Sequence, residues 1–309
     1  MSVIVSTTNQ LEKNKGETVK SFLSIIAKHK NILVELTKFK ITFFVSVTTT
    51  VGFILFDGKI NLDLLLVTIG VLFLASGASA FNEYQERNVD GKMERTSLRP
   101  IPSGRIKASY AIKSSLILIF LGTLILFFSG KVVLLLGIFT LLWYNAIYTP
   151  LKLLTPFAII PGALVGALPP MIGWAAAGGE IFDGKILSLA GFLFIWQIPH
   201  FWLLILMYDD QYKKAGFPTL SNIFTFPQIK YITYFWIVVL VLSSFTFPYV
   251  NLSEGFLSNI LFIVFGILTL SATFFSKQNH SNRNFRNKFL IINLYVLSIL
   301  LLITTESLI

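Results

Sequence analysis

The chain has 309 residues, 54% of them hydrophobic and 13% charged, with thirty Phe, no Cys, a net charge of +10 and a mean hydropathy of +0.74. That composition excludes an ordinary soluble domain and describes a membrane protein. The absence of cysteine excludes disulfides, thiolate metal sites and a Cys nucleophile, and the basic loops of an inserted bundle account for the positive charge without nucleic acid.

A membrane span needs about 20 mainly apolar residues. Nine segments fit that pattern, at 40–56, 62–84, 107–128, 132–148, 156–177, 186–208, 228–247, 256–276 and 289–307. The joins are short and polar, which predicts one all-α, polytopic bundle of nine transmembrane helices and no second soluble domain. Residues 1–38 carry Lys but no Arg, with Glu12, Glu17 and Glu35 among them, unlike a transit peptide or a cleaved signal. They are expected to form a cytoplasmic N-terminal segment ahead of a transmembrane domain over 39–309, in a bacterial inner membrane. Apart from Lys59, Lys131 and Lys185, the 25 basic residues fall in the N-terminal segment through Lys40 and around the loops after predicted helices 2, 4, 6 and 8. Basic residues stay on the cytoplasmic side, so the N-terminus is expected inside and the C-terminus outside.

The second predicted helix runs out through "LFLASGASAFNEYQERNVD". Its small residues suit close helix packing. If the helix continues, Asn82, Glu86 and Asp90 recur every four residues along one face. Such an oxygen-rich face suits Mg²⁺, which takes one or two carboxylates and completes its shell with water and phosphate oxygens. Lys92, Arg95, Arg99 and Arg105 follow and could supply the counter-charge of a diphosphate. A solvated loop obeying the charge rule would explain the same residues.

In the fifth predicted helix, "PGALVGALPP" holds Gly162 and Gly166 at helix-packing spacing, with Pro169 and Pro170 expected to break or kink it. Trp143 and Trp174, near helix ends, suit interfacial anchoring. The sixth reads "LFIWQIPHFWLLILMYDDQYKKAGFPTL", with Asp209 and Asp210 at its exit and Lys213 and Lys214 after them. Span, acidic exit and basic loop thus occur twice, which suggests two related halves whose acidic clusters face one mouth and hold metal around one diphosphate. His200 lies about 15 Å from Asp210 on an uninterrupted helix. A lone His in a span is either neutral and satisfied by a neighbouring helix or functional. His29 and His280 lie in polar segments and are expected to be solvated.

The acidic motif, "DGKMERTSLRPIPSG" from Asp90, "WYNAIYTPLKLLTP" from Trp143, "WQIPHFWLL" from Trp196 and "YKKAGFP" from Tyr212 together resemble the UbiA-type intramembrane prenyltransferases, and within them the protohaem IX farnesyltransferase (haem O synthase) family. The resemblance implies transfer of the farnesyl group of farnesyl diphosphate to a vinyl group of haem b, with addition of water, giving haem o. It implies Mg²⁺ held by Asn82, Glu86, Asp90, Asp210 and Asp209. Arg95, Arg99 and Lys152 would clamp phosphate oxygens, and rings such as Tyr144, Tyr148, Trp196 or Tyr208 would face the allylic cation. Tyr212 and His200 join the substrate-binding set, His200 as a haem-iron ligand or a propionate partner. A respiratory oxidase assembly or haem A synthase partner is compatible with that role. Three departures stand out: Glu86 replaces the Asp of the family motif, Gln211 separates Asp210 from Tyr212, and "AGFPTLSNIF" departs from the usual apolar continuation after the Pro. The rival readings are prenyl transfer to an aromatic quinone precursor, and a transporter or lipid-binding membrane protein without chemistry.

Overall fold

The computed structural model describes residues 29–275 and 282–309, and in them the chain is helical, without strands. Nine helices are long and apolar enough to cross a membrane, as the hydropathy pattern predicts: α1 Phe39–Asp57, α2 Leu62–Asp90, α3 Ala108–Ser129, α4 Lys131–Leu151, α5 Pro156–Ala176, α6 Gly184–Met207, α7 Phe226–Tyr249, α8 Phe256–Phe274 and α9 Arg283–Leu308. Local chemistry sets their ends. Asn61 caps α2 by accepting from the Leu64 N–H, and Asp183 caps α6 by accepting from Lys185. Thr225 and Gln228 form a reciprocal capping box on α7. Gly58, at φ +66°, closes α1 in the left-handed conformation and returns its N–H to the Ile54 carbonyl.

Helices in lipid gain little from burying apolar surface, so they associate by close packing. Gly122 of α3 lies so near α2 that a Cβ there would fall 2.5 Å from the Leu74 nitrogen. Gly173 of α5 meets α1 likewise, with 1.9 Å left to the Thr49 carbonyl oxygen. The hydroxyls of Thr42, Ser46, Thr48 and Thr49 donate to carbonyls one turn back, which satisfies them inside the apolar layer. Two cores result. One gathers α1 to α5 around Phe53, Val67, Leu74, Leu126 and Ile172, and the other gathers α6, α7, α8 and α9, with parts of α1 and α5, around Phe192, Ile237, Phe262 and Ile299. A cavity lies between them, lined by α1, α2, α4, α5 and α6.

Several expectations need correction. The second helix continues six residues past its predicted end, to Asp90, and the ninth starts at Arg283 rather than 289. α5 is not broken at Pro169 and Pro170, which lie inside one continuous helix. Trp174 is no interfacial anchor: it is 2% exposed, packs edge-on against Phe56 and donates its indole N–H to the Glu180 carbonyl. Residues 1–28 of the predicted N-terminal segment, and His280, lie outside the described residues. Residues 29–36 are helical, His29 is exposed, and Leu36 is buried against Ala80 and Ala111.

Candidate active site

Because α2 runs unbroken to Asp90, Asn82, Glu86 and Asp90 lie along one face and line a cavity of about 320 Å³, at 1%, 8% and 1% exposure. Each meets a base from a different part of the chain. The Lys38 ammonium, just before α1, donates to Asn82 Oδ1 at 2.6 Å. Lys152, just after α4, pairs with Glu86. The Arg99 guanidinium donates to Asp90 Oδ2 at 2.6 Å. The Asn82 amide is oriented by donating in turn to the Thr149 hydroxyl at 3.0 Å.

These pairs set the local electrostatics. Burial pushes Lys38 down to about 7, and the nearby Arg99 and Lys152 charges act in the same direction. Burial also opposes the charge on Lys152 and on Arg99, but Glu86 beside the first and Asp90 beside the second outweigh it, and both bases are held above their ordinary values. The motif is therefore an array of oxygens matched to three basic groups, assembled from sequence positions 38 to 152.

Beneath it the wall is aromatic. Residues Trp143–Tyr148 of α4 form a π-helical turn, a widening that recurs at functional sites. Gln85 fixes this turn to α2 by donating to the Asn145 carbonyl and accepting from the Asn145 amide, which also donates to the Ala78 carbonyl. Tyr144, Tyr148 and Lys152 then follow one another along the cavity wall, with the Lys152 ammonium 5.0 Å above the Tyr148 ring. Gly162 and Gly166 let α5 pack closely against α4 and α6 and also line this space. A Cβ at Gly162 would fall 2.4 Å from the Tyr148 ring, and one at Gly166 would fall 1.8 Å from the Gln197 amide. Phe201 and Gln197 of α6 close the opposite wall.

Two loops form the mouth. Arg95 donates its backbone N–H to Gln211 Oε1 and its guanidinium to the Tyr212 hydroxyl, both at 3.2 Å, and lies over the Tyr208 ring. Arg95, Arg99, Tyr212 and Phe217 all line the cavity. Glu83, fully buried beside the motif, accepts from the Ile101 N–H with one oxygen and, among the described residues, has no partner for the other. It ties the loop that carries Arg99 to α2.

Asp209, Asp210 and His200 are not among the cavity-lining residues. α6 stops at Met207, and Tyr208, at φ −125° and ψ 23°, separates it from a short helix Asp209–Ala215. Asp209 accepts from the Ser221 hydroxyl at 2.7 Å and from Lys213 at 2.8 Å. Those contacts outweigh partial burial and hold its carboxyl below the usual carboxylate range. Asp210 is exposed. Of the four candidate rings, Tyr144 and Tyr148 face the cavity. Tyr208 lies beneath Arg95, and Trp196 turns to α9.

His200 packs against Phe289 and Trp196, with its Nδ1 2.7 Å from Asn293 Oδ1. The Trp196 indole, which can only donate, reaches the same Oδ1 at 3.0 Å. That atom is therefore an acceptor, the proton lies on His200 Nδ1, and Nε2 keeps its lone pair. Among the functional residues, Lys38 and Gln197 escape the sequence. Lys38 sits in the segment assigned to solvent, and the available signal is a lysine at the first turn of a span whose end meets the acidic motif.

Among the described residues no cluster of three or more His, Cys, Asp or Glu side chains stands at metal-binding spacing. The hard oxygens of Asn82, Glu86 and Asp90 nevertheless fit a Mg²⁺ ion that draws the rest of its shell from water and phosphate. Comparison with known proteins accords with this layout. A structure of digeranylgeranylglyceryl phosphate synthase superposes with a TM-score of 0.74 at 20% identity, covering 91% of this chain and 99% of that one. A UbiA homolog from Archaeoglobus fulgidus, bound to GPP and Mg²⁺, superposes at 0.65 and 17% identity, covering 88% and 99%. These likenesses concern the fold. In sequence, the chain is 43% identical over 172 residues to the protoheme IX farnesyltransferase of Geobacter sulfurreducens, covering 56% of this chain and 64% of that one. It is 33% identical over 240 residues to that of Nitratidesulfovibrio vulgaris, covering 77% and 83%. The UbiA prenyltransferase family matches residues 45–297, and with that span of sequence behind the nine-helix fold and its motif-lined cavity, the chain belongs to the UbiA prenyltransferase family.

Proposed function

We propose that the chain transfers the farnesyl group of farnesyl diphosphate to a vinyl group of haem b, with addition of water, to give haem o and diphosphate. The observation that carries this is one continuous cavity with a charged mouth and an aromatic, apolar floor, in a chain 33–43% identical to protoheme IX farnesyltransferases over the matched segments. A diphosphate needs the first and a prenyl chain needs the second.

The allylic C–O bond breaks, its electron pair leaving with the diphosphate. The vinyl carbon attacks the freed allylic carbon, water adds to the cation this leaves beside the macrocycle, and a proton departs. Mg²⁺ held by Asn82, Glu86 and Asp90 would supply charge neutralisation to the leaving group. Lys38, Arg99 and Lys152, now on the motif oxygens, stand close enough to turn to phosphate oxygens when these arrive, and Arg95 guards the rim. Tyr144 and Tyr148 present ring faces to the allylic cation. No side-chain nucleophile takes part. His200, whose Nδ1–H is held by Asn293, lies outside the cavity lining, so its Nε2 would meet haem only on the α6–α9 side of the cavity. Asp209 and Asp210 would join the metal site only by rotation of the segment after α6. The basic loops support a reading with the motif on the cytoplasmic side of a bacterial inner membrane.

The test is an assay of the purified chain with haem b, farnesyl diphosphate and Mg²⁺, following pigments by mass. Haem o should form and should disappear on chelation of Mg²⁺. Prenylation of an aromatic quinone precursor with haem unchanged would move the acceptor. Failure to release diphosphate with any acceptor would overturn the enzymatic reading.

A further inference from the structure

Outside the active-site cavity, between α7 and α9, a lysine is buried near the start of a span, with no anion beside it among the described residues. Lys288 is 5% exposed, although it lies within the span Arg283–Leu308. Its ammonium donates to the Tyr234 hydroxyl at 3.0 Å and stands 4.7 Å from the centre of that ring. The Lys230 ammonium, from α7, lies 5.8 Å from the same ring centre. Phe274 of α8 stacks on Tyr234 at 4.7 Å. A cavity of about 20 Å³ opens here, bounded by Leu203, Ile229, Thr233 and Asn284 together with both lysines.

An ammonium removed from water is strongly unfavourable unless an anion answers it. A phenol and a ring face are neutral, and Lys288 has no carboxylate within ion-pair distance among the described residues. The neighbouring helices have none to offer. From Phe226 to Leu308 the only acidic residues in the sequence are Glu254 and Glu306. Glu306 lies at the far end of α9, where it accepts from Ser253 and from the Glu254 and Gly255 N–H groups. Arg283 and Arg286, both exposed, add further positive charge near the start of α9. Among the described residues, none supplies the counter-charge to Lys288.

Position and size narrow its chemistry. The cleft opens at the basic ends of α7 and α9, the level at which a span meets lipid headgroups. Its volume admits one water-sized group, so an oxygen enters and the rest of the anion stays outside. The Tyr234 hydroxyl accepts from Lys288 and keeps its own proton to donate. We propose that this cleft binds the phosphate of an anionic phospholipid, one oxygen taking hydrogen bonds from Lys288 and Tyr234 and the remainder lying against Lys230, Arg283 and Arg286.

The experiment uses the full chain in detergent, titrated with phosphatidylglycerol and followed by native mass spectrometry, and in nanodiscs of phosphatidylcholine with and without phosphatidylglycerol. Lys288→Met and Lys230→Gln should each weaken retention of the anionic lipid by about fivefold, the effect of one basic charge near a lipid surface. Lys288→Arg should preserve it, and prenyl transfer in phosphatidylcholine should be unchanged in Lys230→Gln. If Lys288→Met does not fold, the half-exposed Lys230 carries the test alone. Equal lipid retention in Lys230→Gln and the wild type would overturn the site. Inorganic phosphate raising the unfolding temperature in phosphatidylcholine discs as much as phosphatidylglycerol does would overturn the lipid as its source.

Discussion

Asn82, Glu86 and Asp90 at the end of α2, and Asp209 with Asp210 beyond α6, look alike along the chain: a carboxylate pair at the exit of a span, followed by bases. They fold differently. The α2 residues stay on an unbroken helix, line the cavity and are each matched to a base, Lys38, Lys152 or Arg99, from outside that helix. The α6 acids follow a helix break, begin a new short helix and find local partners, Asp209 pairing with Lys213 four residues on. Acids in a first helical turn are stabilised by the helix dipole, which is a structural role in its own right. Charge pattern alone does not make a site; the continuity of the helix beneath the charges decides where they point.

The sharpest way to break this comparison is to remove one acid from each cluster. Asp90→Ala should lower kcat for prenyl transfer by about 10²–10³-fold, the usual consequence of losing a group that stabilises developing charge. Asp210→Ala, at an exposed position, should lower it by about tenfold or less. Equal losses, measured under the same Mg²⁺ and substrate concentrations, would show that the segment after α6 closes onto the cavity when substrate binds.

The partner bases separate the clusters on stability. Lys152→Met strands the buried Glu86 carboxylate and should destabilise the substrate-free protein by about 3–5 kcal/mol, the usual range for half of a buried pair. Lys213→Met removes a partner of Asp209 from a pair whose lysine is 38% exposed, and should change stability by no more than about 1 kcal/mol. Unfolding temperatures in one detergent compare the two directly. Adding Mg²⁺ with diphosphate should narrow the gap, because Glu86 then regains a cationic partner.

How much of this was legible follows from the range of each interaction. The spans were readable because apolar runs of sufficient length are local, and Asn82, Glu86 and Asp90 were readable because a four-residue repeat is local too. The end of α2 was misplaced because its last turns carry charges that read as loop, whereas Lys38, Lys152 and Arg99 neutralise them in the fold. Lys38 itself was lost to the solvent segment, since nothing near it in sequence marks its contact with Asn82, 44 residues away. The π turn at Trp143–Tyr148 has no periodic signature, being one extra residue in a helical register. The proton position on His200 depends on Asn293, 93 residues on, and on Trp196, a donor-only side chain that fixes the amide between them. Asp209 and Asp210 show the converse. The sequence displayed their charges but not the break at Tyr208 that turns them away.

The smallest effect tests that break most closely. The Ser221 hydroxyl lies 2.7 Å from each carboxylate oxygen of Asp209 and shares its single proton between them. Removing it in Ser221→Ala should lower stability at neutral pH by about 1 kcal/mol, the net value of such a hydrogen bond. The pH dependence has a definite sign. Asp209 is held below the usual carboxylate range in the fold, so its ionised form favours folding. Its contribution is complete above the unfolded value of about 3.9 and is lost as pH falls through the folded one, so the difference between Ser221→Ala and the wild type should shrink below about pH 4. Prenyl transfer should be nearly unaffected if Asp209 only anchors the short helix. A rise in transfer in Ser221→Ala would mean that the serine restrains an acid the reaction can use, and that the two clusters differ in when they reach the diphosphate rather than in whether they do.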